Sequence, residues 1–173
     1  MDSFIGQYFV AKLYCVTEGH RGFVALHRAR GLAGGGWLVR SDQATDAAKF
    51  AFRYLEQREK RIHFAISAAD DAGEFAGASL DVSHGGYLGL YRGVTSPVVW
   101  KFELVGGSTP GRAARFVLRD AQGRRTAVNP IVEYTGSRGD AYSARGRRVD
   151  YLNTRSGTQV EFETRWVRAL SPA

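Results

Sequence analysis

The sequence has one cysteine and no long apolar run, and each shortage excludes a class of protein. Cys15 can form neither an internal disulfide nor a metal site by itself, which fits a reducing compartment, and its apolar neighbours predict a buried, inert thiol. No apolar run approaches the ~20 residues of a membrane span, and the amino terminus lacks the pattern of a secretory signal. We therefore expect a cytoplasmic protein without a membrane span.

The motifs of common enzyme classes are also missing. The chain contains no Gly-x-Ser-x-Gly, His-Glu-x-x-His or Gly-x-x-x-x-Gly-Lys-Ser pattern. Its histidines do not fall at metal-ligand spacings, and we expect His27 and His63 to be structural residues within strands. The acidic pair Asp70-Asp71 is predicted to lie in a solvated turn. These absences predict a protein that is not an enzyme and that uses neither a metal nor a cofactor.

What the chain does contain is a repeated phrase. "GGGWL" at 34–38 returns as "HGGYL" at 84–88, and each phrase is followed by a phenylalanine fifteen residues after its aromatic residue. A third copy, with a shorter interval, begins at Tyr151. The phenylalanines that end the three copies are Phe52, Phe102 and Phe162. We predict that they meet in a shared core.

Short apolar stretches rich in Val, Phe, Tyr, Leu and Ile alternate with Gly, Asp and Pro, which predicts many short antiparallel strands. Each repeat supplies four of them, and a four-stranded unit cannot bury its apolar face alone. We therefore predict an all-β chain folded as a β-trefoil, with twelve strands in three pseudo-symmetric units. The single domain spans 5–169, and its units span roughly 5–58, 59–109 and 110–169.

The first repeat also resembles a known family. The stretch "GFVALHRARGLAGGGWLVRSDQATDAAKFAF" at 22–52 is similar to the repeat of fascin-like β-trefoils in its Val-Ala-Leu strand, glycine turn, Leu-Val strand and closing Phe-x-Phe. The resemblance extends over the chain in three copies. It implies the trefoil fold, and it implies a structural protein that binds actin or another acidic partner as one possible function.

A lectin-like carbohydrate-binding module is the function we favour from the sequence, by analogy of fold. The Gln-x-Trp motif of ricin-type trefoils is missing, so a glycan site must be built from other loops. The second unit offers Asp81, His84 and Tyr91, which combine an aromatic face for a sugar ring with acceptors for its hydroxyl groups. The alternative is that Tyr91 packs on a neighbouring strand and His84 only begins a turn.

The charge of the chain is concentrated in its third unit. Residues 106–173 carry 12 basic and 6 acidic side chains, a net charge of +6 out of +7 for the whole chain, and every basic residue there is arginine. Arginine suits carboxylate, sulfate and phosphate groups, which predicts a surface for a polyanion. The candidate residues are Arg124, Arg125, Arg138, Arg145, Arg147 and Arg148. The alternative is that the arginines are spread around the fold and serve solubility.

We expect these arginines to converge, with the first two in a turn and the last three in the loop before Tyr151. The predicted partner is a glycan or an acidic protein or filament. A nucleic acid is not expected, because "SARGRRVD" lacks interleaved aromatic residues and no helix is available for a major groove. The sequence leaves the oligomeric state open.

Overall fold

The computed structural model describes residues 6–27, 36–106, 113–135 and 145–170, and nearly all of them lie in strands or short turns. The strands are β1 Tyr8–Cys15, β2 Gly22–Leu26, β3 Leu38–Ser41, β4 Lys49–Arg58, β5 Arg61–Ala68, β6 Ser79–Val82, β7 Leu88–Tyr91, β8 Val99–Leu104, β9 Arg115–Arg119, β10 Ala127–Thr135, β11 Arg145–Asn153, β12 Thr158–Gln159 and β13 Phe162–Leu170. Two 3₁₀ turns, Ala44–Asp46 and Gly73–Phe75, are the helical elements of these ranges. In the same ranges, no helix has the length and apolar character needed to cross a membrane.

Six strands close a barrel. β1 pairs with β4, β4 with β5, β5 with β8, β8 with β9, β9 with β13, and β13 returns to β1, all antiparallel. Closure of the ring gives every one of these strands a partner on both sides, which removes the open edges of a flat sheet. The prediction of an all-β chain is confirmed.

Three hairpins extend from this barrel: β2–β3, β6–β7 and β10–β11. Along the chain, each hairpin stands between two barrel strands, so the order barrel, hairpin, barrel occurs three times. The described ranges hold thirteen strands and not twelve, because the two-residue β12 adds a short pairing beside β10. The division into units at 5–58, 59–109 and 110–169 within one domain stays a prediction.

Phenylalanine fills the barrel because each barrel strand directs alternate residues inward. Each of the six strands contributes at least one phenylalanine that is exposed by 1% or less: Phe9, Phe50, Phe52, Phe64, Phe102, Phe116 and Phe162. Phe102 stacks on Phe116 with ring centroids 3.9 Å apart and meets Phe52 edge-on at 5.7 Å. Phe116 in turn contacts Phe162 at 6.3 Å. The predicted burial of the three repeat phenylalanines is confirmed, and Phe116 lies between two of them.

Replacement of Phe102 tests this core. Phe102→Ala should lower the free energy of unfolding by ~3–5 kcal/mol, because it removes a large buried ring and leaves a cavity between its neighbours. Urea denaturation followed by circular dichroism measures the change. Tyr134→Ala is the matched control, since Tyr134 is 71% exposed and its loss should change stability by less than ~0.5 kcal/mol. Equal stability of the two variants would contradict the packing described.

Candidate functional site

The aromatic residues of the repeated phrase project from the outer face of the three hairpins. In each copy the following leucine enters the main core and is exposed by 1%; these residues are Leu38, Leu88 and Leu152. Because successive strand residues point to opposite faces, the aromatic residue before each leucine points outward. We call Trp37, Tyr87 and Tyr151 the cap aromatics and the surface they form the cap face. They pack in a second apolar cluster together with Ala25, Val39, Val149 and Ile131.

Backbone pairing draws the three hairpins together at this face. The pairs are Trp37 with Gly89, Tyr87 with Asn153, and Tyr151 with Val39. In each pair, the aromatic residue of one hairpin lies opposite the residue two positions after the aromatic residue of another hairpin. The first hairpin pairs in this way with the second, the second with the third, and the third with the first, so the pattern is cyclic. The pairing also brings the aromatic rings into contact. The ring centroids of Trp37 and Tyr87 are 6.1 Å apart and those of Tyr87 and Tyr151 are 5.7 Å apart, and both contacts are edge-to-face.

A carboxylate lies at one side of the cap aromatics. The Tyr151 hydroxyl donates a hydrogen bond to Glu133 Oε1, and His27 Nε2 lies 3.2 Å from Glu133 Oε2. Burial and the hydrogen bond to Glu133 both raise the pKa of Tyr151 well above its ordinary value. The hydroxyl therefore remains a donor at neutral pH and holds Glu133 in place.

An amide and a hydroxyl lie at the other side. Asn129 Nδ2 donates to Ser156 Oγ at 3.2 Å and lies 3.5 Å from Tyr87 Oη. Trp37 and Tyr87 are half-buried, whereas Tyr151 is only 8% exposed. The cap face therefore presents parts of two aromatic side chains to solvent, with hydrogen-bonding groups beside them. Such a combination is typical of small polar-ligand sites.

Gly89 makes room for the aromatic packing. A Cβ atom at this position would lie 3.2 Å from Tyr91 Cε2 and 3.3 Å from Trp37 Cε3. Tyr91 itself meets Trp37 edge-on at 6.4 Å. The absence of a side chain at Gly89 thus allows the rings of Tyr91 and Trp37 to lie close to the backbone of Gly89.

The three residues predicted from the second unit fall in different environments. His84 is exposed in the turn between β6 and β7, and Asp81 Oδ1 accepts a hydrogen bond from Val82 N at 2.7 Å. The Tyr91 hydroxyl is buried and has no hydrogen-bond partner in the described ranges. Burial, and then the charge of Asp81, raise its pKa. Tyr91 packs on Trp37, as the alternative interpretation expects, and glycan binding by this set stays a prediction.

The predicted arginine site is divided by the fold. Arg124 and Arg125 follow β9, where Arg124 Nε binds Asp120 Oδ2 at 2.8 Å. Arg125 Nε is buried without a hydrogen-bond partner among the described residues. The prediction that Arg145, Arg147 and Arg148 lie in a loop is wrong, since they belong to β11 and pair with β10. Arg138 lies outside the described residues.

The two groups of arginines lie apart along β10 and β11, and their convergence on one polyanion stays a prediction. Val132, the partner of Arg148, is five residues along β10 from Ala127, which corresponds to ~17 Å of strand. The two groups therefore stand at opposite ends of the β10–β11 hairpin. Binding of a longer polyanion by these arginines stays a prediction.

Arg148 takes part in an ion cluster that ties β11 to β3. Asp150 Oδ2 accepts from Arg40 Nη2 at 2.6 Å, and Asp150 Oδ1 accepts from Arg148 Nε at 2.8 Å. The Asp150 side chain is only 4% exposed. Burial by itself would raise the pKa of this carboxyl group, but the hydrogen bonds from both arginines lower it below its ordinary value.

The remaining candidates have structural partners. His63 lies in β5 and its Nδ1 is 3.1 Å from Glu56 Oε1, but His27 lies one residue beyond β2 and not within it as predicted. The Cys15 thiol is fully buried, as predicted, and burial raises its pKa. The pair Asp70-Asp71 occupies an exposed turn, also as predicted. Within the described residues, no group of three or more His, Cys, Asp or Glu is placed to hold a metal ion.

Comparisons of the chain with protein-family models, with curated proteins and with solved structures give no match. The resemblance to fascin-like repeats is thus carried by the residues of the repeat alone. The cap face was not predicted from the sequence, because Trp37, Tyr87 and Tyr151 served there only to mark the repeat. The available signal was the leucine beside each of them, whose burial requires the aromatic residue to face outward.

The Asp150 cluster predicts an acid-sensitive contribution to stability. The lowered pKa means that this contribution is complete above the ordinary value of 3.8 and is lost as pH falls through the lower folded-state value. Asp150→Asn should cost ~2 kcal/mol at pH ~7, since it replaces charged hydrogen bonds with neutral ones. In urea denaturation, the difference between parent and variant should shrink below pH ~4. A difference that stays constant or grows on acidification would show that Asp150 is not held as an anion.

Proposed function

We propose that the chain is a β-trefoil and that it acts as a non-enzymatic, lectin-like module that binds carbohydrate at the cap face. The trefoil assignment is supported by the closed six-stranded ring, by the three hairpins between successive barrel strands, and by the cyclic pairing of the cap aromatics. Variation in such a fold is carried by hairpins and loops, and a binding function needs no catalytic group.

The observation that carries the proposal is the half-buried pair Trp37 and Tyr87 with the Asn129 amide beside it. A sugar ring has an apolar C–H face and a rim of hydroxyl groups. The aromatic rings match the first feature, and the Asn129 amide and Ser156 hydroxyl match the second. Glu133, held by the Tyr151 hydroxyl, adds a fixed acceptor further along β10.

Two of the residues predicted from the second unit, His84 and Tyr91, lie beside or beneath the proposed sugar-binding residues. Tyr91 packs against Trp37, and its buried hydroxyl faces away from a ligand in solvent. His84 stands in the turn that leads to Tyr87, whose backbone N–H donates to Ser83 Oγ at 3.0 Å. We therefore assign His84 to the rim of the site and Tyr91 to the layer beneath it.

A fascin-like interaction with an acidic filament is the second candidate. It is favoured by Arg147 and Arg148, which are exposed on β11. It ranks below carbohydrate binding because Arg124 binds Asp120 and stands apart from Arg147 and Arg148. Arginines that stand apart give a diffuse attraction to anions and little specificity.

A glycan array followed by calorimetric titration tests the first candidate. The parent should bind at least one glycan, and Trp37→Ala should weaken that binding about 10-fold or more, since stacked aromatic rings dominate such contacts. Tyr87→Phe, which keeps the ring and removes the hydroxyl, should have a smaller effect.

Tyr134→Ala is the control for loss of an aromatic residue elsewhere on the surface and should bind glycan like the parent. A parent that binds no glycan on the array would refute the proposal. Cosedimentation with F-actin at low and raised salt examines the second candidate, for which Arg147→Gln with Arg148→Gln should abolish pelleting.

A further inference from the structure

We propose that the protruding end of hairpin β10–β11 binds single-stranded nucleic acid. We call residues 131–135 of β10 and 145–149 of β11 the ribbon. Ile131, Glu133 and Val149 of the ribbon face the cap aromatics, and the proposed site is the opposite side, which carries Val132, Tyr134 and Arg148. Its argument does not depend on carbohydrate binding.

The ribbon extends beyond the rest of the sheet. β10 and β11 pair over nine positions, from Ala127 with Asn153 to Thr135 with Arg145. Among the described strands, β12 reaches only Ala127 and Val128, and β3 reaches only Asp150 and Tyr151. Along either outer edge, no described strand pairs with the ribbon. Such an unpaired two-stranded element can lie along an extended ligand.

Tyr134 forms an aromatic platform on one face of the ribbon. It lies opposite Gly146 and is 71% exposed. A Cβ atom on Gly146 would lie 3.1 Å from Tyr134 Cε1, so the ring occupies the space above the glycine backbone. One side of the ring thus rests on the ribbon, and most of its surface is open to solvent. Nucleobases stack on such rings whatever their identity, because each base has a π-face.

Arg148 supplies a positive charge on the same face. It lies opposite Val132, two residues from Tyr134 on β10, and side chains in this diagonal relation are ~7–8 Å apart. Its side chain is 59% exposed, and its Nε is held by Asp150 at 2.8 Å. That contact orients the guanidinium group while its outer nitrogen atoms remain at the surface. A base on Tyr134 would place a neighbouring phosphate within reach of Arg148.

The combination of ring and charge favours a nucleic acid over an acidic peptide. A carboxylate-rich peptide would use Arg148 but has no group that requires the open ring of Tyr134. Exposed Val132, at 52%, widens the apolar surface beside the ring. The expectation that nucleic acid is not a partner rested on the lack of a helix for a duplex groove and, for single strands, on the lack of aromatic residues within "SARGRRVD". Strand pairing provides the aromatic residue from β10, which the linear segment does not show.

Fluorescence anisotropy with a labelled oligothymidylate of about 12 nucleotides, at about 50 and about 200 mM NaCl, tests the proposal. Tyr134→Ala should weaken binding about 10-fold, as expected for loss of one stacked base, whereas Tyr134→Phe should stay within about twofold. Arg148→Gln should weaken binding and lower the slope of affinity against salt by about one.

Arg53→Gln is the matched control, because it removes the same charge from an exposed position on barrel strand β4. It should leave affinity nearly unchanged, as should Trp37→Ala on the cap face. Absence of binding by the parent overturns the proposal, and so does equal weakening by Arg53→Gln and Arg148→Gln, or full affinity of Tyr134→Ala. Binding of poly-glutamate that depends on Arg148 but not on Tyr134 would assign the ribbon to an acidic protein instead.

Discussion

Closure of the phenylalanine-filled barrel is the constraint on which the rest of the structure depends. Each repeat exposes an apolar face that it cannot cover alone, and burial becomes complete only when β13 pairs with β1 and completes the ring. The stack of Phe102 on Phe116 joins the second and third repeats, and the contact of Phe52 with Phe102 joins the first and second. Once the ring is closed, the three hairpins leave it at fixed positions and must meet at the cap face.

The architecture was predictable because the core imposes a repeated pattern on the sequence. Phe52, Phe102 and Phe162 recur after equivalent aromatic-leucine phrases, and burial on one face of a strand requires that alternation. No such requirement acts on the side of the ribbon that carries Tyr134 and Arg148, which lies outside the barrel core. The segment from Arg145 to Arg148 therefore has no apolar period and was interpreted as a loop. The two-residue β12 is too short to leave any pattern.

The two proposed binding surfaces were less predictable, since they depend on contacts between distant parts of the chain. His27 and Glu133, which flank the cap aromatics, are separated by 106 residues. The platform on the ribbon requires Tyr134 to lie opposite Gly146, and this register follows from the pairing of β10 with β11. The sequence contains the aromatic residues and the arginines, but it does not contain the strand pairing that decides which of them share a face. The same pairing separates Arg124 from Arg148.

The central claim is that the cap face receives a sugar ring on Trp37. An amide and indole NMR spectrum of the ¹⁵N-labelled protein, recorded during titration with a glycan selected on an array, tests it directly. The account predicts that the indole signal of Trp37 and the side-chain amide of Asn129 shift together. The indole signal of Trp100 should stay fixed, because its Nε1 donates to Leu80 O at 2.8 Å within the core. Saturable shifts confined to other residues, with the Trp37 signal unchanged, would contradict the claim.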